Sequence, residues 1–273
     1  MFERRQASNN FTSAMMIAEL MFHNTVRSIR SKHNNAFIAL ALNLMQVAVL
    51  MGAFILLFHV LGARGAALRG DFFLFLLSGI MLYMTHIRTF RAVSGAPGPT
   101  SGMMNHAPMN TAVSITSEAL GVLYIQLSSV LIALFAYHTL WSPITIMNPM
   151  GALGMFLLAW FSGFAAGMVL LAIRPWVPDF VGVFNRVYIR VNMIASGKMF
   201  VANKLSATTL AMFDWNPLFH AIDQSRGFVF QNYFPHHSSI KYTLYLSIGL
   251  LMLGLMGEFY SRKRMSLSWS AKR

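Results

Sequence analysis

Polar and charged side chains recur in one otherwise apolar stretch of the chain, residues 177–203. Arg186 and Arg190 are one helical turn apart, and guanidinium groups pair well with carboxylate or phosphate. Asn185, Asn192 and Ser196 are separated by seven and four residues, so their side chains lie on one stripe of the helix. We predict a channel for an anionic ligand here; the alternative is a partly interfacial helix whose arginines extend to the lipid headgroups. The predicted channel residues are Asn185, Arg186, Tyr188, Arg190, Asn192 and Ser196.

Two histidine arrangements suggest chemistry of a different kind. His220 and Asp223 are three residues apart on a predicted helix, where they could form an acid–base pair. One histidine with one carboxylate is a common chance pairing, and positions on a capped helix explain both residues. His236 and His237 are adjacent, so their side chains point apart, and no acidic third ligand lies close by. We therefore predict neither a catalytic site nor a metal site.

The composition identifies the environment of these residues. Of the 273 residues, 56% are hydrophobic and 11% are charged, whereas soluble globular chains have about 25% charged residues. Apolar runs of about 20 residues recur, as in transmembrane helices. The net charge of +13 comes with no nucleic-acid-binding motif, so anionic lipid headgroups are the simpler partner of the basic residues. Cysteine is absent, which excludes disulfides and thiol ligands.

The hydropathy pattern predicts one all-α integral membrane domain over residues 1–273, with six transmembrane helices. Residues 1–35 combine apolar positions with a basic end, which indicates an amphipathic helix at the membrane interface; packing on a partner protein explains them equally well. Residues 36–203 hold the first five spans, 240–260 the sixth, and 261–273 a basic tail. The predicted spans are 36–61, 72–90, 111–140, 150–173, 177–203 and 240–260.

Basic residues at the two ends set the predicted orientation. Five lie within residues 1–35 and five within residues 261–273. Short segments rich in Lys and Arg beside a span stay in the cytoplasm. Both termini are therefore predicted to be cytoplasmic, which requires an even number of spans.

The segment 205–235 is too polar to cross a bilayer and too aromatic for a solvated loop. A helix is predicted over 217–231, with Pro217 in its first turn and Asn216 or Asp214 as its N-cap. This helix is too short to span, and such backbone at membrane depth must be buried in protein or line a cavity. We predict an outer re-entrant helical hairpin that forms an exit gate. The predicted gate residues are Trp215, Asn216, Pro217, His220, Asp223 and Arg226.

The stretch WNPLFHAIDQSRGFVFQNY, at 215–233, resembles a C-terminal segment of type-2 ABC transporter permeases that export polysaccharide. Capsular polysaccharide permeases are the most similar. Weaker matches keep the family's order: DFFLFLLSGIMLY at 71–83, NHAP at 105–108 and VPDF at 177–180. The loop 91–108 differs from the family, because it is rich in Gly and Pro where the family has a more charged, helical stretch. Matching positions in the main segment are Trp215, Asn216, Pro217, Leu218, His220, Asp223, Ser225, Arg226 and Tyr233.

The resemblance implies the permease subunit of an ATP-driven exporter in the bacterial inner membrane. Its substrate would be a capsular-type polysaccharide or a lipid-linked glycan. The implied partners are a second permease copy, a separate ABC ATPase that holds ATP and Mg, and periplasmic export proteins. The permease itself would be no enzyme and would bind no cofactor, and residues 88–110 would contact the ATPase. The expected coupling residues are Arg88, Arg91, Asn105 and His106.

The source of energy separates this interpretation from its rivals. The chain lacks the GxxxxGK[ST] phosphate-binding loop, so energy must come from a partner or from a gradient. A gradient-driven transporter would need acidic residues within its spans, and Glu118 and Glu258, which come close, lie near span ends. A type-2 ABC exporter of another amphipathic substrate and an intramembrane glycan-modifying enzyme are two further rivals.

Overall fold

The computed structural model describes residues 10–32, 35–60, 71–97 and 111–270. Within these ranges the chain forms α-helices and one short 3-10 helix, and no β-strand occurs. The α-helices are α1 (Asn10–Lys32), α2 (Ala36–Val60), α3 (Phe72–Ser94), α4 (Thr111–Leu140), α5 (Pro149–Ile173), α6 (Pro178–Ala195), α7 (Ala207–Leu210), α8 (Pro217–Val229) and α9 (Ile240–Ser270). The 3-10 helix, Ala202–Lys204, lies between α6 and α7.

Five of these helices are long and apolar enough to cross a bilayer. They match the first four and the last of the predicted spans, which confirms an all-α, multi-pass membrane protein. The fifth predicted span, 177–203, corresponds to α6, which has 18 residues and is too polar to join this group. The five apolar segments are Phe37–Val60, Phe72–Ser94, Thr111–Leu140, Pro149–Ile173 and Ile240–Arg264.

One end of the helical bundle, called here the Asp71 end, holds the start of α3. The Asp71 carboxylate accepts hydrogen bonds from Tyr137 Oη (2.6 Å) near the end of α4 and from Ser142 Oγ (3.4 Å). The backbone N–H of Asn148, the N-cap of α5, donates to the carbonyl of Phe228 near the end of α8. The starts of α3 and α5 and the ends of α4 and α8 therefore lie together.

The opposite end, called the Ser94 end, holds the end of α3. Arg174, directly after α5, donates to the carbonyls of Ser94 and Ala96, both at 3.4 Å. Near the end of α9, Ser261 Oγ donates to the carbonyl of Ala172 in α5 at 3.1 Å. The ends of α3, α5 and α9 therefore lie together.

The N-terminal helix α1 also lies at the Ser94 end, beside the start of α4. Ser117 Oγ in α4 donates to the carbonyl of Met21 (3.2 Å), and Ser28 Oγ in α1 donates to Glu118 (2.7 Å). In α4, Ile115 packs in one core cluster with Val93 from the end of α3. The described N-terminal helix and the described end of α9 thus share one end of the bundle.

Glycines in α5 and α9 allow close packing at the centre of the bundle. A Cβ added at Gly163 would overlap the carbonyl oxygen of His86 in α3. In α9, a Cβ added at Gly254 would lie 2.7 Å from Cβ of Met168 in α5. Small residues bring helix backbones together in this way within membranes, where dispersion contacts replace the hydrophobic effect. Helix α5 is therefore packed tightly between α3 and α9.

The predicted span 177–203 is not an α-helix throughout. Helix α6 ends at Ala195, and Gly197 has a φ of 72°, in the left-handed region that favours glycine. A Cβ at Gly197 would also lie 2.6 Å from the ring of Phe219. The sequence after Gly197 turns away from the helix axis because α8 packs at this point.

The closely packed glycine of α5 provides a test of the α3–α5 contact. We expect Gly163→Ala to destabilise the fold by about 1–3 kcal/mol, since the added methyl group must displace the α3 backbone. Gly154→Ala, in the same helix, is the matched control, because a Cβ there meets nothing within 4 Å. The control should be neutral or stabilising through helix propensity. Equal thermal unfolding of the two purified variants in detergent would contradict this packing.

Candidate functional site

The start of α8 is joined to the end of α6 by an amide side chain. Asn216, one of the two predicted candidates, is the N-cap of α8, and its Oδ1 accepts from Leu218 N at 3.0 Å. Its Nδ2 donates to Asn192 Oδ1 (3.0 Å) and to the carbonyl of Ala195 (2.9 Å). Pro217 occupies the first turn, where no N–H is needed. The Asn-Pro pair therefore fixes both where α8 begins and what it contacts.

The guanidinium group of Arg226 lies fully buried between α8 and the chain that follows α6. Nη1 donates to the carbonyls of Gly197 (2.9 Å) and Phe200 (2.5 Å), and Nη2 donates to the carbonyl of Lys198 (2.7 Å). The guanidinium carbon also lies 4.1 Å from the centre of the Phe75 ring in α3. Carbonyl dipoles and an aromatic face thus replace the water that this charge loses on burial.

Asp223, one turn before Arg226 in α8, joins the helix to the loops around it. Its Oδ1 accepts from the backbone N–H of Ala202 (3.3 Å) and from the hydroxyl of Tyr233. Its Oδ2 accepts from Ser238 Oγ at 2.7 Å. Burial, reinforced by the Asp223 carboxylate, raises the pKa of Tyr233, so the phenol stays protonated and keeps donating. Asp223 and Arg226 therefore both hold α8, through different partners.

Burial of Lys198 adds a second cation beside this contact. Its Nζ donates to the carbonyl of Met193 (2.5 Å) and lies 3.6 Å from the centre of the Tyr83 ring in α3. The ring of Phe54 in α2 lies 5.5 Å away. Among the described residues, no carboxylate lies within 4.0 Å of this amine. Aromatic faces and a carbonyl stabilise it instead.

His220 has no free nitrogen with which to act as a base. Its Nδ1 accepts from Ser239 N (3.3 Å), so its Nε2 carries the proton and donates to the carbonyl of Asp214 (2.6 Å). The Asp223 oxygens are occupied by the donors described above. Both residues therefore serve the packing of α8. Within the described ranges, no three His, Cys, Asp or Glu side chains are grouped so as to hold a metal ion.

Four of the six predicted channel residues face other helices of the same chain. Asn185 Oδ1 accepts from Ser94 Oγ at 3.3 Å, and the Tyr188 hydroxyl lies 2.8 Å from Nε2 of His86 in α3. Asn192 is bonded to the N-cap of α8 as described. Ser196 is fully buried. The predicted amide stripe is therefore the packed face of α6.

The two arginines of the predicted channel lie on the opposite, exposed face of α6. Arg186 and Arg190 are both exposed, and neither has a carboxylate within 4.0 Å among the described residues. Large apolar side chains surround them on this face and are exposed as well, although the ring of Phe184 lies beside those of Phe180 and Tyr188. These exposed apolar residues are Phe180, Val183, Phe184, Val187, Val191 and Ile194.

The remaining predicted residues lie in two other places. Trp215 is half exposed and donates from Nε1 to the carbonyl of Met212 at 2.7 Å. Arg88 lies inside α3 and donates to Gln46 Oε1 of α2, while Arg91 is exposed in the last turn. Both arginines lie within α3 rather than in the loop after it, where contact with the ATPase was expected. The other two predicted coupling residues, Asn105 and His106, lie outside the described residues.

The sequence interpretation missed His86. Its ring is fully buried in α3, with Nδ1 2.8 Å from Ser162 Oγ of α5 and Nε2 facing Tyr188 of α6. A histidine inside an apolar predicted span was the available signal, since polar residues there usually find an interhelical partner. His86 thus ties α6 to the two central helices.

Comparison with known proteins assigns no family. No protein-family model matches this chain, and no curated protein matches it either. The function proposed for the chain therefore rests on the contacts just described and on the resemblance of residues 215–233.

The carbonyl cluster around Arg226 predicts a large effect of substitution. Arg226→Ala would take the guanidinium donors away from three carbonyls, of which, among the described residues, that of Gly197 alone keeps a second donor, the N–H of Phe200 (3.4 Å). We therefore expect the free energy of unfolding to fall by about 3 kcal/mol. Arg226→Lys keeps the charge but lacks the forked donors of the guanidinium group. Its free energy of unfolding should lie between those of the wild type and of Arg226→Ala.

The measurement is thermal unfolding of the purified variants in detergent. Arg262→Ala, which removes an exposed arginine of α9, is the control and should unfold with the wild type. If Arg226→Ala also unfolds with the wild type, the guanidinium group does not hold α8 in place.

Proposed function

We propose that this chain is the membrane subunit of an ATP-driven exporter of an anionic glycan. The observation that carries the proposal is the exposed face of α6. Arg186 and Arg190 stand there among apolar side chains, while the other face packs into a bundle of membrane-spanning helices. Charge in contact with hydrocarbon is costly, so such a face belongs against protein or a water-filled path.

The path of α6 supports a sixth crossing of the membrane. Its first turns pack against Phe90 at the Ser94 end, through Val181. After the helix, Lys198 lies against Gly79, and Asn203 Nδ2 donates to the carbonyl of Phe234 at 2.7 Å, near the Asp71 end. These contacts support a course of residues 177–203 from the Ser94 end toward the Asp71 end, although the α-helix covers only 178–195.

Six crossings give the chain the orientation expected from its basic ends. With an even number, both termini share one side, and α1 and the end of α9 both lie at the Ser94 end. Arg27, Arg30 and Arg262 are exposed there, where basic residues favour the cytoplasm. We therefore propose that the Ser94 end is cytoplasmic in the bacterial inner membrane.

The substrate path is proposed to lie between two copies of α6. A second copy would cover the apolar residues of the exposed face and leave the arginines beside a shared aqueous path. Guanidinium groups there would attract carboxylates or phosphates of a passing polymer. The resemblance to capsular polysaccharide permeases supports a cell-surface polysaccharide or lipid-linked glycan as substrate.

The segment 205–235 is proposed as the outer gate. From Asn203 at the Asp71 end the chain returns to Asn216, beside the last turn of α6. Helix α8 then leads back to Phe228 at the Asp71 end. This course supports a re-entrant hairpin. Because Arg226 and Asp223 bond the chain after α6, movement of α6 would carry the hairpin with it.

Energy is proposed to come from a separate ATPase subunit that holds ATP and Mg. The chain has no phosphate-binding loop of the Walker type, and the ATPase would seat at the Ser94 end, on the segment after α3. Arg91, exposed in the last turn of α3, is the described residue best placed to contact it.

We expect the tagged chain, purified from its native membrane, to bring with it a subunit that carries a phosphate-binding loop. The isolated chain should hydrolyse no ATP. A chain that purifies alone and takes up or releases ions along a gradient would contradict the proposal.

The exposed arginines give the sharper test. In cells that depend on this chain, we expect Arg186→Ala with Arg190→Ala to lower surface glycan by about tenfold or more, since each lost pairing is worth roughly 1 kcal/mol or more. The copurified ATPase should remain, because neither arginine contributes to the internal packing. Arg262→Ala is the matched control. Normal export by the double variant would remove the arginines from the substrate path.

A further inference from the structure

A cavity of about 450 Å³ lies at the Ser94 end, and no residue of α6 lines it. Helices α1, α2, α3 and α4 all contribute to its wall. It is separate from the exposed face of α6 and from the contacts of α8. The polar residues that line it are Ser28, Asn43, Gln46, Arg88, Arg91 and Glu118.

The charge of this cavity suits an anion. Arg88 and Arg91 both line it, against one carboxylate, that of Glu118. The Glu118 carboxylate accepts from Ser28 Oγ at 2.7 Å, and Arg88 donates to the neutral side chain of Gln46. Among the described residues, no carboxylate lies within 4.0 Å of either guanidinium group. Two cations three residues apart on α3 are thus available to a phosphate group.

A buried acceptor in the same wall indicates a hydroxyl on the ligand. Asn43 is 1% exposed, and its Nδ2 donates to Gln126 Oε1 (3.2 Å) and to Ser129 Oγ. Its Oδ1 has no hydrogen-bond partner among the described residues. Leaving a buried carbonyl oxygen unpaired is costly. A ligand with both a phosphate and a hydroxyl would satisfy this wall.

An apolar groove of about 150 Å³ continues from the cavity. Ile29 of α1 and Ile125 of α4 line both spaces, so the two are adjacent. Phe37 and Tyr124, which also line the groove, are 79% and 61% exposed on helices that cross the membrane. The groove therefore opens on the lipid-facing side of the bundle, where an acyl chain is at hand.

From this arrangement we infer a binding site for one anionic phospholipid of the phosphatidylglycerol class. The phosphate lies between Arg88 and Arg91, a headgroup hydroxyl donates to Asn43, and one acyl chain occupies the groove beside Ile125. Arg88 is about 9 Å along α3 from Ser94 at 1.5 Å per residue, within the last turns of the span, from which a long arginine side chain can extend to the lipid phosphates. The lipid would fill the space between α1 and the spanning helices.

The test is native mass spectrometry of the full-length chain after delipidation and incubation with defined lipids. The wild type should retain phosphatidylglycerol at least about tenfold better than phosphatidylcholine. Arg88→Gln with Arg91→Gln should lose this preference. The matched control, Arg27→Gln with Arg30→Gln, removes two exposed arginines of α1 that do not line the cavity and should keep it. The site would be ruled out if both double variants lost the preference for phosphatidylglycerol equally, or if neither lost it.

Two further measurements use the wild type alone, so they do not depend on the folding of a variant. Photoreactive phosphatidylglycerol should crosslink to peptides within 35–60 or 111–130, and crosslinks confined to α6 or α9 would overturn the site. Free glycerol phosphate at the same concentration should not displace the lipid. Displacement would show that the cavity binds a soluble phosphate rather than a lipid.

Discussion

A buried cation that must be satisfied by backbone carbonyls organises the junction between α6 and α8. Arg226 can be buried only because the chain leaves the helix after Ala195 and turns three carbonyls toward it. Gly197 permits that turn through its positive φ. Gly79 in α3 permits the close approach, since a Cβ there would lie 2.9 Å from the carbonyl oxygen of Lys198 and 3.0 Å from Arg226 Nη2. Changing any one of these residues disturbs the others.

Hydrogen bonds on its packed face explain how a helix as polar as α6 fits into a bundle of apolar helices. Its two amides and its tyrosine form hydrogen bonds with residues elsewhere in the bundle. The pairs are Asn185 with Ser94, Tyr188 with His86 and Asn192 with Asn216. The polarity that excludes α6 from the five apolar spans is therefore largely hidden. Arg186 and Arg190 stay exposed. Placing their charges in hydrocarbon is energetically costly, so we propose that a second subunit or an aqueous path lies against this face.

Hydropathy was sufficient to predict five of the spans, because each is an apolar run whose length matches a bilayer. The N-cap at Asn216 was predictable from local chemistry, as was a short helix after Pro217. The end of α6 at Ala195 was not, because it depends on Arg226 and Phe219, which come from α8. The amide stripe was placed correctly on one face, yet only the fold decides that this face packs inward and the arginines outward. The carbonyl partners of Arg226 carry no side-chain signal at all.

The central claim is that residues 177–203 cross the bilayer although α6 is not apolar. Counting the membrane crossings tests it most directly. The chain has no cysteine, so single cysteines can replace the exposed residues Arg27, His237 and Arg264. With six crossings, an impermeant thiol reagent applied to intact cells labels only the cysteine at 237. The cysteines at 27 and 264 react only after the membrane is permeabilised. Labelling that places 27 and 264 on opposite sides would give five crossings and contradict the account.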